Sequence, residues 1–184
     1  MSKLSISLEW FLQEDELKPD AFSKNHKIEI NNNFFNAGSA PEYGGKDNEL
    51  NPEQSLAAAM SSCHMMTFLA LAAKMRWPVK SYKDNAHAFL GKNSKGKMCV
   101  NKIELNPMIK FDNDFSVSKD EMDKMQDRSH RYCFVANSLS DEVEIKIKLV
   151  INLNLRNRRN KFFCIILFWK IKYFITFIHF NNFS

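Results

Sequence analysis

The sequence predicts a single α+β domain, and the order of its patterns indicates this class. Residues 3–10 alternate apolar and polar side chains, and residues 27–34 are extended in character, as in strands. Two segments with helix-start signals follow, separated by a hairpin pattern, and "EVEIKIKLV" alternates again near position 146. Strands, helix, hairpin, helix and strand in this order differ from a repeating βαβ pattern, so we expect two central helices packed on an antiparallel sheet.

The first helix has a clear start signal. Asn51 is a good N-cap, Pro52 occupies the first helical position and Gln54 the third, which is the pattern of a capping box. The apolar run that follows predicts a helix to about Arg76, where Trp77-Pro78 ends it.

The remaining elements follow from turn and cap residues. Residues 79–91 and 97–111 are predicted as two strands joined through "KNSKGK", in which Gly96 can adopt the positive φ of a hairpin turn. Ser118 and Glu121 form a capping box, which predicts a second helix to about Asn137.

Both helices carry a cysteine on the face that their spacing predicts to be buried. In the first helix this stripe is Leu56, Met60, Cys63, Thr67, Ala70 and Leu71. In the second helix it is Met122, Met125, Ser129, Cys133 and Ala136. If the helices pack face to face, Cys63 and Cys133 approach closely enough to bond.

The basic charge of the chain comes from its C-terminal part. The formal net charge is +5, but seven of the 26 Lys and Arg lie beyond position 146, where no acidic residue occurs. The preceding part has 19 basic and 21 acidic groups, a net charge of −2. The main body therefore gives no electrostatic support for nucleic-acid binding.

Residues 151–184 differ in composition from the rest, with many Asn, Lys, Arg, Ile and Phe and no Gly, Pro, Asp or Glu. We predict one domain over residues 1–150 and an atypical tail outside the fold. Residues 162–180 have the length of a membrane span, but Lys170 and Lys172 at its centre would each cost about 3 kcal/mol there. A membrane anchor is thus the less favoured interpretation of the tail.

The cysteine pattern favours a reducing compartment. Cys63, Cys99, Cys133 and Cys164 show neither CxxC spacing nor the density of a disulfide-stapled secreted domain. The N-terminus reaches Glu9 before any apolar run long enough for a signal peptide. We expect a cytoplasmic protein.

Two segments together resemble the OsmC/Ohr family of thiol peroxidases. They are "NPEQSLAAAMSSCHMMTFLALA" and "RYCFVANSLSDEVEI", and "SAPEYGG" and "FLGKNSKGKMCVNKIELNP" resemble the same OsmC-like branch. The resemblance covers about residues 20–146. It implies the OsmC-like fold, an intertwined homodimer and reduction of organic hydroperoxides in the oxidative stress response.

The resemblance also implies roles for individual residues. Cys63 corresponds to the peroxidatic thiol and Cys133 to the resolving thiol, with a redox-active disulfide between them. Glu53 corresponds to a carboxylate that orients a cationic partner of the thiolate. No cofactor or metal is implied; an external dithiol, such as a lipoylated protein, thioredoxin or a small thiol, restores the pair.

The thiolate needs a partner that the sequence does not identify. Ohr-type members use an N-terminal arginine, but no arginine precedes Arg76. Lys24 lies near the expected position, and His64 adjoins Cys63, so both are candidates for thiolate stabilisation. His130 and Arg131, near Cys133, are further candidates. From Glu53 to Cys63 a straight helix rises about 15 Å, which excludes direct contact between these two side chains.

Several alternatives stay open from sequence. Apolar neighbours (Met60, Met65, Met66 and Phe68) would favour an alkyl or lipid hydroperoxide, or are simply core. Cys99 is interpreted as structural, Cys164 receives no role, and the spacing of His26, His64 and His87 supports no metal site. Instead of a peroxidase, the chain could be a redox sensor or small-molecule-binding protein with little turnover, or an inactive homologue.

Overall fold

The computed structural model describes residues 4–19, 21–112 and 114–149, and nothing further is stated of the others. Within this range the chain forms eight strands and two α-helices. The strands are β1 (Ser7–Glu9), β2 (His26–Ile30), β3 (Asn33–Ala37), β4 (Val79–Lys83), β5 (His87–Lys92), β6 (Met98–Leu105), β7 (Met108–Phe111) and β8 (Glu144–Ile147). The helices are α1 (Pro52–Lys74) and α2 (Lys119–Tyr132).

The strands make three small sheets, which confirms the α+β class. β1, β2 and β3 form an antiparallel N-terminal sheet, and β4 pairs with β7 in an antiparallel ribbon. The third sheet has the order β5-β6-β8. Its β5–β6 pair is antiparallel, but β6 and β8 are parallel, so this sheet is mixed.

Both predicted helix starts are confirmed. The Asn51 side chain accepts a hydrogen bond from the Gln54 amide at 2.7 Å, and the Gln54 side chain accepts from the Asn51 amide at 3.2 Å. Ser118 and Glu121 make the same reciprocal pair at the start of α2. These bonds satisfy amides that have no partner within the first turn of a helix.

α1 ends with a reversal at Arg76. The Arg76 amide donates to the Ala73 carbonyl and the Trp77 amide to the Ala72 carbonyl, and Arg76 has φ 57°. These two bonds and the left-handed residue are the Schellman termination, in which glycine is the preferred residue. Trp77 then folds back onto the core beside Phe68.

The predicted strands were too long because they contain turns. Residues 27–34 are not one strand but parts of β2 and β3, joined by Asn31 and Asn32, both with positive φ. Asparagine tolerates this conformation, as the two-residue hairpin requires. Residues 84–86 divide β4 from β5, and Asn106-Pro107 divides β6 from β7. The predicted turn at Gly96, with φ 72°, is confirmed.

α2 is shorter than predicted. It ends at Tyr132 instead of about Asn137, and Cys133 is its C-cap with φ −75° and ψ 117°. After two turn residues the chain makes a short 3₁₀ turn, Ala136–Ser138. Cys133 therefore does not lie within the helix, although it is buried as predicted.

The predicted stripe of α1 was displaced by one residue. Its buried positions are Ala57, Met60, His64, Phe68 and Ala72. Cys63 is only half-buried at the flank of this stripe, and Ala70 is exposed. Periodicity missed this because almost every residue of α1 is small or apolar, so no angle around the helix stands out.

Two apolar clusters hold the helices to the sheets. The first contains Met60, Ile103, Leu105 and Cys133, and Cys63 packs against it. The second contains Phe68, Ala72, Met122 and Met125, with Trp77 and Tyr82 at its border. α1 is shared by both clusters and so fixes the position of α2 relative to β6.

Among the described helices, α1 is long and apolar enough to cross a membrane by length and composition alone. Helices of a soluble core meet the same criterion, and α1 contributes to both apolar clusters. The tail, residues 151–184, lies outside the described residues, so its predicted separation from the fold and the membrane-anchor alternative remain predictions.

Replacing Arg76 by glycine should stabilise the fold. A side chain in the left-handed region costs about 1–2 kcal/mol, while glycine adds up to about 1 kcal/mol of unfolded-state entropy. Arg76 is exposed, so we expect Arg76→Gly to raise the unfolding free energy by about 0.5–1 kcal/mol in urea denaturation. Arg76→Ala keeps the strained φ and serves as the control. Equal stability of the two variants would contradict this explanation.

Candidate thiol site

Cys63 lies near the middle of α1, where the helix meets the end of α2. Its side chain is half-buried and packs against the cluster that contains Met60, Leu105 and Cys133. The helix start is about three turns away, so the dipole of α1 gives its sulfur little stabilisation. The groups that act on the sulfur come from the segment after α2.

Cys133 faces Cys63 at the end of α2. It is fully buried, and its thiol is in hydrogen-bonding contact with the Cys63 sulfur. Both cysteines are free thiols in this structure. The structure thus brings together the two cysteines that the sequence selected, 70 positions apart.

The backbone after Cys133 provides amide donors to both sulfurs. Hydrogen bonding from the amides of Phe134 and Val135 lowers the pKa of the Cys63 thiol, and the Ala136 amide donates to Cys133 Sγ at 3.5 Å. These amides are available because α2 has ended, and the chain turns before the 3₁₀ segment begins. Three successive amides thus act on the two sulfurs.

These contacts favour the thiolate of Cys63. Burial raises the pKa of the Cys63 thiol, but hydrogen bonds from Val135, Cys133, Phe134 and Thr67 together outweigh burial and bring the pKa below its usual value of 9.0. None of these donors carries a charge. In this chain neutral dipoles, not a charged side chain, lower the pKa of the Cys63 thiol.

Cys133 is shifted in the opposite direction. Burial raises the pKa of its thiol, and although the Ala136 amide lowers it, the hydrogen bond it donates to Cys63 adds to the increase and the pKa reaches about 11. Cys63 is consequently the more acidic thiol of the pair and loses its proton at lower pH than Cys133.

The Thr67 hydroxyl lies near two possible hydrogen-bond acceptors. Its hydroxyl donates to the Cys63 carbonyl at 2.9 Å and also lies within hydrogen-bonding reach of the Cys63 sulfur. A hydroxyl has one hydrogen, so it serves one acceptor at a time. Ionisation of Cys63 would draw that hydrogen to the sulfur.

His64 does not act as the cation proposed from the sequence. It is fully buried, and its Nε2 lies 2.7 Å from Gln126 Oε1 on α2. Burial lowers its pKa, and nearby His130 lowers it further, although Gln126 opposes this. His64 is therefore neutral at pH 7 and is held by α2.

None of the other proposed cations is among the groups that act on the pKa of the Cys63 thiol. The Lys24 ammonium donates to the Tyr43 carbonyl at 3.1 Å and borders an apolar pocket in the N-terminal part. Arg131 is exposed, and the His130 carbonyl accepts the Cys133 amide. The structure assigns none of these side chains to Cys63.

Glu53 lies in the first turn of α1 and does not reach Cys63, as the helix length predicted. Its Oε2 is buried without a hydrogen-bond partner among the described residues. The same holds for Oε2 of Glu49, whose side chain is 9% exposed and whose other oxygen is paired with Lys46 at 3.3 Å.

The apolar neighbours of Cys63 divide into core and surface. Met60 and Phe68 are fully buried in the two clusters, while Met66 is 57% exposed. The core interpretation therefore holds for the first two. Cys99 is half-buried in β6, and within the described ranges no group of three or more His, Cys, Asp or Glu could hold a metal ion.

Sequence reasoning missed the functional groups that have no side-chain signature. The amides of Phe134 and Val135 are backbone groups, so the residue types at these positions do not reveal their role. The capping box of α2 marks where the helix begins and gives no information on where it ends. The nearest signal was "YCFV", where Tyr, Cys, Phe and Val, all weak helix formers, follow a strongly helical segment.

The fold and the paired thiols define an OsmC-like thiol protein. The sequence model of the family "OsmC-like protein" matches residues 45–148. A solved OsmC-like protein of unknown function from Vibrio cholerae is 35% identical, with a TM-score of 0.72 over 82% of this chain and 100% of that chain. The chain therefore belongs to the OsmC/Ohr family.

More distant structures share the fold alone. An organic hydroperoxide resistance protein from Elizabethkingia anophelis is 17% identical, with a TM-score of 0.60 over 80% of this chain and 96% of that chain. The organic hydroperoxide resistance protein OhrB of Bacillus subtilis is 14% identical, with a TM-score of 0.57 over 80% and 98%. Among curated proteins, none matches the sequence significantly.

The two thiols should titrate in a fixed order. Peptide-resolved alkylation with iodoacetamide across pH should give Cys63 a midpoint below 9.0, while Cys133, which is buried and has a pKa of about 11, should stay unmodified where Cys63 reacts. Replacing Val135 by proline removes one donor while its φ of −64° suits proline. We expect Val135→Pro to raise the Cys63 midpoint by about one pH unit, as for a hydrogen bond to a charged group.

Ala40→Pro is the matched control. Ala40 also has a proline-compatible φ of −60°, but it lies in the loop before α1 and donates nothing to sulfur. Its Cys63 midpoint should equal that of the unmodified chain. The assignment of the amides fails if both proline variants shift the midpoint equally.

Proposed function

We propose that this protein is a thiol-dependent peroxidase that reduces organic hydroperoxides through Cys63 and Cys133. The observation that carries the proposal is the contact between a half-exposed, acidified thiol and a buried, protonated one. Membership of the OsmC/Ohr family supports the same conclusion, because relatives in this fold are described as organic hydroperoxide resistance proteins.

In the first step the Cys63 thiolate attacks the outer oxygen of the hydroperoxide. The O–O bond breaks, the sulfur becomes a sulfenic acid and the remaining alkoxide takes up a proton to leave as an alcohol. The Phe134 and Val135 amides hold the thiolate before the attack. The proton that the alkoxide takes up comes from solvent, so the Cys133 thiol keeps its hydrogen for the second step.

In the second step the two cysteines condense. The Cys133 sulfur displaces hydroxide from the sulfenic acid, and the Cys133 proton leaves with it as water, so a disulfide forms. An external dithiol then reduces this disulfide and is itself oxidised, which closes the cycle without a bound cofactor. A dithiol or a lipoylated protein in the cytoplasm is the proposed reductant.

The surface at the site favours an apolar substrate. The ring of Phe134 is 84% exposed while its amide contacts the Cys63 sulfur, and Tyr132 on the other side of Cys133 is 57% exposed. An alkyl chain of a hydroperoxide could cover part of this aromatic surface, which hydrogen peroxide cannot do. We therefore propose organic hydroperoxides as the better substrates.

The N-terminal sheet supports a homodimer. It exposes large apolar side chains on its strands and flanking loop: Leu8 56%, Phe11 73%, Leu17 62%, Phe34 68% and Phe35 41%. Exposed apolar surface of this extent is typical of a protein interface. We propose that a second copy covers it, as in the intertwined dimer that the family resemblance implies.

A dimer would also complete the first turn of α1. The buried Oε2 atoms of Glu49 and Glu53 lack partners among the described residues of one chain, and an unsatisfied buried acceptor is destabilising. We propose that a basic side chain of the second copy pairs with Glu53, which gives that carboxylate the orienting role inferred from the sequence.

Peroxidase activity is tested with the purified full-length chain, tert-butyl hydroperoxide and dithiothreitol. We expect sustained turnover that Cys63→Ser abolishes. Cys133→Ser should still oxidise once but accumulate sulfenic or sulfinic acid at Cys63, because the resolving sulfur is missing. Cys99→Ser is the control and should retain full activity. Turnover in Cys63→Ser would disprove the mechanism.

A redox sensor is the second candidate, and the lack of a charged donor at the Cys63 sulfur favours it. A sensor would form the Cys63–Cys133 disulfide once per chain but would not cycle rapidly with dithiothreitol. Stoichiometric oxidation without turnover in the same assay therefore selects the sensor over the peroxidase.

The dimer is tested by analytical ultracentrifugation of the full-length chain. We expect a dimer, and Phe34→Lys should shift the equilibrium towards monomer because it places a charge in the apolar interface. Met98→Lys changes a residue of similar exposure, 56%, in the β5–β6 hairpin and should leave the dimer intact. A monomeric unmodified chain would refute the dimer.

A further inference from the structure

A buried polar contact joins the two helices beside the thiol pair, and the proposed chemistry does not use it directly. His64 is fully buried and Gln126 is 3% exposed. Their Nε2 and Oε1 atoms are 2.7 Å apart. Burying two polar side chains in a helix interface is costly unless they bond to each other.

The donor of the His64–Gln126 hydrogen bond follows from the identity of the acceptor. Gln126 Oε1 has no hydrogen, so His64 must donate from Nε2, and its Nδ1 is the unprotonated nitrogen. His64 Nδ1 is buried without a partner among the described residues, which agrees with this tautomer. The Gln126 amide nitrogen is in turn 3.9 Å from Met122 Sδ, which fixes the orientation of the side chain.

The contact is placed where it controls the geometry of the thiols. His64 follows Cys63 directly on α1, and Gln126 precedes Cys133 by two helical turns, about 10.5 Å, on α2. Two adjacent residues of α1 thus contact two separate parts of α2: His64 contacts Gln126 within the helix, and Cys63 packs against Cys133 at its end. If one point is released, the helices can slide and the Cys63 sulfur can move relative to the amides after Cys133.

We propose that Gln126 is a positioning residue: by accepting the Nε2 hydrogen of His64, it holds α1 against α2 so that the Cys63 sulfur stays against the amides of Phe134 and Val135. This inference rests on the proposed function in one respect: Cys63 is taken as the reacting thiol. It assigns a role to a residue that makes no contact with either sulfur.

The test measures the Cys63 thiol without peroxide, so it is independent of peroxidase activity. Gln126→Met keeps the length and flexibility of the side chain but removes the acceptor. We expect at least a tenfold slower alkylation of Cys63 at pH 7, with its midpoint moved to higher pH. Gln126→Glu keeps an acceptor for His64 and should retain most of the rate.

Met125→Leu is the control for packing, because Met125 is buried on the same helix in the same cluster but does not bond to His64. It should leave the Cys63 midpoint unchanged. The proposal is overturned if folded Gln126→Met alkylates at the rate of the unmodified chain, or if Met125→Leu slows it equally.

A second measurement uses the unmodified chain and does not depend on the folding of any variant. Nitrogen NMR of ¹⁵N-histidine-labelled protein should show His64 as the neutral tautomer protonated at Nε2. Gln126→Met, where folded, should change this signal, while Met125→Leu should not. A His64 protonated at Nδ1 would overturn the proposal.

Discussion

The site depends on the point at which α2 stops. Inside an α-helix each amide is bonded to a carbonyl four residues earlier, so it cannot serve another acceptor. Because α2 ends at Tyr132 and Cys133 adopts an extended ψ, the next three amides are released from that ladder. They supply donors to the two sulfurs, and together with the Cys133 thiol and Thr67 they lower the pKa of Cys63.

This explains why the sequence predicted much of the fold but missed the main feature of the site. Helix starts depend on side chains such as those of Asn51 and Ser118, and both were identified correctly. The end of α2 depends on tertiary packing of Cys133 and on the turn that follows, which no single residue encodes. In a helix continued to Asn137, the amides that act on Cys63 would instead donate to carbonyl groups four residues earlier.

The choice between Cys63 and His64 shows the same limit. Both residues lie in a run of small and apolar side chains, and the predicted stripe placed Cys63 inside and His64 on the flank. The structure reverses them, because Gln126 provides the bonded partner that allows a histidine in the interface. That partner lies 62 positions away, so local periodicity could not reveal it. The cysteine pair itself was found through the motif that surrounds each residue.

The complete burial of Cys133 has a consequence for the return from the oxidised state. In the proposed cycle an incoming thiolate would attack the Cys63–Cys133 disulfide at the sulfur of Cys63, which is partly accessible, and Cys133 would be the leaving group. Burial raises the pKa of the Cys133 thiol, and a thiol with a raised pKa is a slow leaving group. Rapid reduction of the disulfide therefore requires a reductant that also delivers a proton to the buried Cys133 sulfur. Without such a reductant the chain would remain in the disulfide form after each oxidation.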